Sequence, residues 1–170
     1  MSASSSQIDE SLREAMGQAI ARIPSGLFVL TASHEDRRAA MLASFVQQVC
    51  FEPPMISIAI GKGRMVMPLI SESRQFALCQ IAKDDRLLMR KFLKPSELGE
   101  DPFLGTELID GVLPGVPILA NAMSYIECEL ACHMDVEGDH DLFIGHVRGA
   151  GVLNADGEPH VHIRKNGFSY

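Results

Sequence analysis

A run of 24 letters, MLASFVQQVCFEPPMISIAIGKGR at residues 41–64, constrains the fold of this chain most. Its Pro-Pro pair cannot donate ladder hydrogen bonds, so it marks a loop or a strand edge between two strands, roughly 40–51 and 55–61. The second strand ends in a Gly-rich turn that carries two cations, Lys62 and Arg64. A sheet edge beside a basic turn can hold a flat molecule that carries a phosphate.

Length and charge limit the classes of partner. The chain has 170 residues, of which 46% are hydrophobic and 22% charged, as expected for one globular domain with a substantial core. Its net charge of -7 argues against bulk binding to nucleic acid or to an anionic membrane. No apolar run approaches the ~20 residues that span a bilayer, and the N-terminus lacks the apolar segment of a signal peptide. We therefore expect a cytoplasmic single domain over 1–170, with a disordered tail at 1–7.

The cysteines and histidines give no metal or disulfide pattern. The four cysteines lack the CxxC pairs of a zinc site, and a core-rich chain of this length needs no disulfides. Cys128 and Cys132 fall in a strand-like stretch, where residues four apart are too distant to bridge. His160 and His162 share a strand face, but no third ligand is evident, so we expect no metal site.

Hydrophobic periodicity predicts a mainly β fold with flanking helices. Apolar residues at three- and four-residue steps predict helices at 8–23, 65–73 and 84–93. Runs of strand formers predict further strands at 27–33 and 75–81, and an all-β segment from Ile118 onward. Residues 94–117 contain four prolines and four glycines, which predicts mostly loop. Short strands without βαβ alternation favour a mainly antiparallel barrel.

Four segments carry a family resemblance. In chain order they are IPSGLFVLTAS, AMLASFVQQVCFEPPMISIAIGKGR, FALCQIA and GDHDLFIGHV. Their order and spacing, over roughly residues 18–165, resemble the flavin reductase-like family, whose fold is the FMN-binding split β-barrel, antiparallel and Greek-key-like. The third segment departs from the family, which more usually has Asn in place of Cys79 or Gln80. His146 stands where the family often has an acid, so no role is carried over to it.

The resemblance implies an oxidoreductase. It implies an NAD(P)H:flavin reductase that transfers hydride from NAD(P)H to bound FMN, or to FAD, and on to an acceptor or a partner monooxygenase. It also implies a homodimer and no Rossmann fingerprint, and no G-x-G-x-x-G follows any candidate strand. No Ser-His-Asp order or paired-carboxylate pattern stands out, which fits a reaction whose chemistry the flavin itself supplies.

Two other functions stay open beside the reductase. LASFVQQ-type sequences also resemble modules of flavodiiron proteins, so a non-enzymatic FMN-binding electron-transfer module, reduced by a partner protein, is the main alternative. A relative of pyridoxamine-phosphate oxidase or of haem-binding split barrels is weaker, because neither a pyridoxal-phosphate signature nor a persuasive axial ligand is evident.

The basic turn is the candidate phosphate clamp of the implied FMN site. Arg64 can bind a phosphate bidentately and Lys62 supplies a point charge. Gly61 and Gly63 let backbone amides approach an anion closely. The alternative is a solvated turn with two ordinary surface cations.

The segment before the Pro-Pro pair is the candidate wall for the flavin. Small residues there let a ring lie along the backbone, and Ser44 can donate to the phosphate or the ribityl chain. Gln47 and Gln48 must point to opposite faces of a strand, and one of them would bind the pyrimidine edge of the flavin or a second subunit. The candidate cofactor-binding residues are therefore Met41, Leu42, Ala43, Ser44, Gln47, Gln48, Ile60, Gly61, Lys62, Gly63 and Arg64.

His140, in the GDHD turn, is the candidate catalytic residue. In proteins that this chain resembles, the turn lies near the flavin, where an imidazole can contact the nicotinamide donor or the reduced ring. The alternative is a turn histidine that hydrogen-bonds its own loop.

Overall fold

The computed structural model describes residues 9–94 and 99–169, and the predicted tail at 1–7 lies outside them. The chain divides into two compact units. One comprises the described residues up to Ser25 together with those from Val161, and the other is Gly26–His160. Among the described residues, no helix combines the length and the apolar character needed to cross a bilayer.

The smaller unit contains helix α1 (Glu10–Ala21), strand β11 (Val161–His162) and the first residue of strand β1 (Ser25–Gly26). The carboxylate of Asp9 caps the helix by accepting from the backbone N–H of Ser11, as the exposed first turn of a helix requires. The C-terminal segment packs on this helix, where the Arg13 guanidinium lies 4.6 Å from the ring centroid of Phe168. The periodicity at 8–23 thus correctly predicts a helix, with shorter bounds.

The larger unit contains the remaining elements. The strands are β2 (Phe28–His34), β3 (Arg37–Ala43), β4 (Val46–Cys50), β5 (Met55–Gly61), β6 (Gln75–Gln80), β7 (Leu108–Ile109), β8 (Ile118–Leu119), β9 (Ser124–Asp135) and β10 (His140–Val152), and the helices are α2 (Val66–Ser73) and α3 (Arg86–Phe92). Seven strands form one sheet in the order β3-β2-β6-β9-β10-β5-β4, and each neighbouring pair is antiparallel. The predicted mainly antiparallel β fold is confirmed.

The predicted strand at 40–51 is wrong in one respect, because it is two strands. β3 ends at Ala43 and β4 begins at Val46, at opposite edges of the seven-stranded sheet. Consecutive Cα atoms lie 3.8 Å apart, so the two edges approach within about 11 Å at this link. The sheet must therefore curl into an open barrel, which is consistent with a split barrel.

Both faces of the central strands are buried. On β6, Phe76 and Leu78 enter one apolar cluster, whereas Ala77 and Cys79 enter a second cluster on the opposite face. Because neither face meets water, the sequence of this strand alternates only weakly.

A buried carboxylate attaches the loop before β8 to the sheet. Glu127 on β9 is fully buried, and its two carboxylate oxygens accept from the backbone N–H groups of Val112 and Leu113 at 2.9 and 2.8 Å. Glu127 thus attaches the predicted loop at 94–117 to the sheet. Residues 95–98 of this loop lie outside the described range. Among its described residues, β7 is the only regular element.

Candidate functional site

Strand pairing brings the basic turn beside the GDHD turn. Gly61, the last residue of β5, pairs with His140, the first residue of β10. One residue further on, the backbone N–H of Lys62 donates to the carbonyl of Asp139 at 2.9 Å. Two turns that lie far apart in the sequence therefore form one surface.

The link between β3 and β4 reaches the same end of the sheet. The backbone N–H of Ala59 donates to the carbonyl of Phe45 at 3.0 Å, two residues before Gly61. The Phe45 ring also lies against His140, with 5.6 Å between the ring centroids. Ser44–Phe45, Gly61–Arg64 and Asp139–His140 together form what we call the candidate site.

Two side-chain nitrogens converge over Gly61. A Cβ atom at this glycine would lie 3.7 Å from Nε of Arg64 and 3.7 Å from Nε2 of His140. Gly63 supports the turn with a φ of +83°, in the left-handed region that glycine tolerates without strain. The turn thus directs Arg64 back toward the strand end rather than away from it.

Arg64 is the cation that remains available at the candidate site. It is exposed, and within the described ranges no carboxylate forms an ion pair with it. A guanidinium in this setting has its full set of donors for an incoming anion.

Lys62, in contrast, is already paired. Its Nζ lies 2.9 Å from Oδ1 of Asp135 and 3.5 Å from Oδ1 of Asp141. The hydrogen bond to Asp135 is the main cause that raises the pKa of Lys62, and the same bond lowers the pKa of Asp135. Both groups are therefore charged at neutral pH, and the ammonium of Lys62 is largely neutralised by carboxylates.

The hydroxyl of Ser44 fits a ligand-binding role. Ser44 is 1% exposed, and its Oγ has no hydrogen-bond partner among the described residues. A buried polar atom without a partner is costly and needs an explanation. A ligand that offers a hydrogen bond here would satisfy it, so this residue fits the group that the sequence predicts.

His140 is held by its neighbour in the turn. Its Nδ1 lies 2.8 Å from Oδ1 of Asp139, and this hydrogen bond is the main cause that lowers the pKa of Asp139. An ionised carboxylate can only accept, so Nδ1 of His140 carries the proton. Nε2, the nitrogen that faces Arg64 over Gly61, is left for a ligand.

The other predicted site residues lie on β3, β4 and β5. Gln47 and Gln48 are both exposed on the edge strand β4, and their side-chain amides donate to the backbone carbonyls of Gln48 and Cys50. Gln48 lies opposite Ile56, roughly 16 Å along β5 from Gly61. These two glutamines are not brought to the basic turn.

The remaining candidates are more buried. Met41 and Leu42 are half-buried on β3 and pack against opposite apolar clusters, and Ala43 is buried. Ile60 is fully buried, and its side chain belongs to the core. Only the backbone of Ile60 is therefore available to contact a ligand.

Sequence reasoning missed the groups that support the candidate site. Phe45 was not singled out, nor were Asp135, Asp141 and His133. Asp141 is buried, and its Oδ2 lies 2.8 Å from Nε2 of His133, whose ring stacks on Phe143 at 4.2 Å. The segment GDHDLF contains a signal for Asp141. This acid lies two residues before Phe143, so on a strand both side chains point to the same, inward face.

Comparisons with known proteins relate the chain to a family. The family model described as "Flavin reductase like domain" matches residues 20–169. Diflavin flavoprotein A 1 of Synechocystis sp. is 36% identical over 162 residues, which are 95% of this chain but 28% of that protein. The chain therefore spans little more than a quarter of the length of the curated relatives that it matches.

Solved structures share the fold. NADH:FAD oxidoreductase SgcE6 of Streptomyces globisporus C-1027 superposes with a TM-score of 0.79 at 22% identity, covering 99% of this chain and 96% of that one. The styrene monooxygenase flavin reductase of Pseudomonas putida S12 has a TM-score of 0.70 at 24% identity, covering 86% and 90%. Since the family model covers nearly all of the sequence, this chain belongs to the flavin reductase-like family.

Proposed function

We propose that this chain is an NAD(P)H:flavin reductase that binds FMN at the candidate site. The observation that carries the proposal is the convergence of Arg64 Nε and His140 Nε2 over Gly61, at a strand end. Family membership supports flavin as the cofactor and NAD(P)H as the electron donor. A further structure of SgcE6, in complex with NAD and FAD fragments and with a TM-score of 0.76, supports a flavin and a nicotinamide nucleotide as the two classes of ligand.

The residues of the candidate site divide the binding task. Arg64 and the backbone N–H groups of Gly61 and Gly63 hold the terminal phosphate, which favours FMN over FAD. Ser44 donates its hydroxyl to the bound group. Phe45 supports the ring of His140, whose Nε2 contacts the flavin or the nicotinamide donor. The flavin, when bound, supplies the hydride chemistry, so the protein needs no acid or base of its own for that step.

The proposal extends to the assembly. We retain the expectations of a homodimer and a cytoplasmic location. The structural likeness to the styrene monooxygenase flavin reductase supports a monooxygenase or another acceptor as the partner that receives the electrons.

An electron-transfer module is the second candidate function. It is favoured by one observation, that the relatives named diflavin flavoproteins are more than three times as long as the segment they share with this chain. In this case a partner protein or a further domain, rather than NAD(P)H, would reduce the flavin of the module.

Anaerobic reduction separates these functions. The protein loaded with FMN is mixed with NADH or NADPH, and its flavin absorbance is followed, with dithionite as the control for a redox-competent flavin. The reductase predicts rapid bleaching by at least one pyridine nucleotide. Bleaching by dithionite alone would contradict the reductase in favour of the module, and failure to bind FMN would contradict both.

A further inference from the structure

We propose that Asp135 and Asp141 compete with the flavin phosphate for Lys62, and that this competition lowers the affinity of the candidate site for phosphorylated flavin. The inference rests on the proposed function, because it concerns the same turn. It predicts that removing one of these acids tightens the binding of a phosphorylated flavin.

The exposures of the three side chains make the competition feasible. The side chain of Lys62 is 41% exposed and that of Asp135 is 62% exposed, whereas that of Asp141 is 9% exposed. The ammonium thus lies between a buried acid and a solvated one. An incoming phosphate can reach it from the open side, but must displace carboxylates that already pair with it.

The acids are fixed more firmly than the lysine. Asp141 is bound through Oδ2 to His133, which is itself stacked on Phe143 with 11° between the ring planes. Asp135 accepts a second hydrogen bond, from the backbone N–H of Glu137 at 2.8 Å. Lysine carries its charge on a flexible four-carbon stem, so it is the partner that has to move.

Local charge strengthens the competition. Asp135, Asp139 and Asp141 carry more formal negative charge than Lys62 and Arg64 carry positive charge. A phosphate dianion therefore approaches a turn whose surroundings do not attract it strongly, and among the described residues of this turn Arg64 is the cation without a carboxylate partner. Removing one acid should leave Lys62 with a single carboxylate partner and also reduce the repulsion of the phosphate.

Asp135→Asn tests this directly. Asparagine keeps an oxygen for the Glu137 N–H while removing the nearer of the two negative charges that pair with Lys62. Dissociation constants for FMN and for riboflavin, which lacks the phosphate, are measured by quenching of flavin fluorescence. We expect FMN to bind about two- to fivefold more tightly, the range set by an exposed ion pair, and riboflavin to bind as before.

A matched control removes a similar pair elsewhere. Glu158 pairs with Lys83 at 2.8 Å, and both side chains are exposed. Glu158→Gln also removes one negative charge from a lysine pair, so equal tightening in this variant would show a general charge effect and overturn the inference.

A second background isolates the role of Lys62. In a protein that already carries Lys62→Met, Asp135→Asn should change the affinity for FMN much less, because the lysine for which the acids and the phosphate compete is absent. An unchanged ratio of FMN to riboflavin affinity in Asp135→Asn would overturn the inference while leaving the proposed function intact. If the unsubstituted protein bound neither flavin, the proposed function itself would fail.

Discussion

At the scale of single residues, Lys62 and Arg64 look equivalent in the sequence but have different surroundings. Asp135 and Asp141 pair with Lys62, whereas Arg64 is exposed with no carboxylate paired to it in the described part of the chain. The phosphate contact should therefore depend more on the arginine than on the lysine.

We expect Arg64→Ala to weaken FMN binding about ten- to a hundredfold, because one charge-assisted contact of about 1.5–3 kcal/mol is lost. Lys62→Ala should weaken it less, and the double variant should be the weakest. Fluorescence titration with FMN measures this, and riboflavin titration is the control for intact folding. Equal losses in the two single variants would contradict the assignment.

From the sequence, Ser44 and Arg64 are candidates because their residue types suit a phosphate-bearing ligand, and His140 is a candidate because its GDHD turn resembles a turn that lies near the flavin in similar proteins. It did not identify Phe45 or Asp141, since their roles depend on which strands pair. Phe45 reaches His140 only because β4 and β10 both flank β5. Pairing between distant segments cannot be derived from the local pattern of either one.

At the scale of elements, the basic turn depends on one left-handed residue. Gly63 has a φ of +83°, and a Cβ there would meet no heavy atom within 4 Å. Any cost of a side chain at this position is therefore conformational rather than steric.

We expect Gly63→Ala to lower the free energy of unfolding by about 1 kcal/mol and to weaken FMN binding, because alanine disfavours positive φ. Gly138→Ala is the matched control, since Gly138 also has open space around it and no positive φ is recorded for it. Chemical denaturation and FMN titration measure both effects. Identical behaviour of the two variants would show that the turn does not need its left-handed residue.

The loop held by Glu127 gives a second prediction at this scale. Glu127→Gln keeps the shape of the side chain but replaces one carboxylate oxygen, which accepts from Val112 or Leu113, by an NH₂ group. We expect a loss of about 1–3 kcal/mol in the free energy of unfolding, because a buried backbone N–H loses its acceptor. Denaturation measures the loss, and Glu129→Gln, at an exposed position two residues further along β9, is the control. Equal stability of Glu127→Gln and the parent protein would contradict this role.

Element types were predictable where periodicity was clear, and β5 was predicted with the bounds that it has, 55–61. The break between β3 and β4 was not predictable, because Ser44 and Phe45 carry none of the glycine or proline signals of a turn. The break arises because the sheet is curved. Residues 44–45 cross from β3, at one edge of the sheet, to β4, at the other edge.

At the scale of the whole molecule, burial of cysteines couples stability to alkaline pH. The four cysteines form no disulfide with one another in the structure, and reduced thiols remain our expectation. Burial raises the pKa of Cys79 and of Cys128 from 9.0 to about 12. Between these values the unfolded chain loses protons that the folded chain keeps, so folding stability falls as pH rises.

We expect the free energy of unfolding to be independent of these thiols below pH 9.0 and to decline above it, by about 1 kcal/mol per pH unit for each thiol. Urea denaturation over this range measures the slope. Cys79→Ala should flatten it, whereas Cys132→Ala, at an exposed position, should not. A slope unaffected by Cys79→Ala would contradict the coupling.

The fold class was predictable because β periodicity and segment order extend over most of the chain. The curled sheet then places the β3–β4 link, the basic turn and the GDHD turn at one end, which no single segment encodes. The account depends on this end being where the flavin phosphate is bound.

A crystal structure of the protein with FMN tests that claim most directly. We predict the FMN phosphate in hydrogen-bonding contact with the Arg64 guanidinium and with the backbone N–H of Gly61 or Gly63. An FMN bound elsewhere on the protein, with Arg64 still free of any contact to its phosphate, would contradict the account.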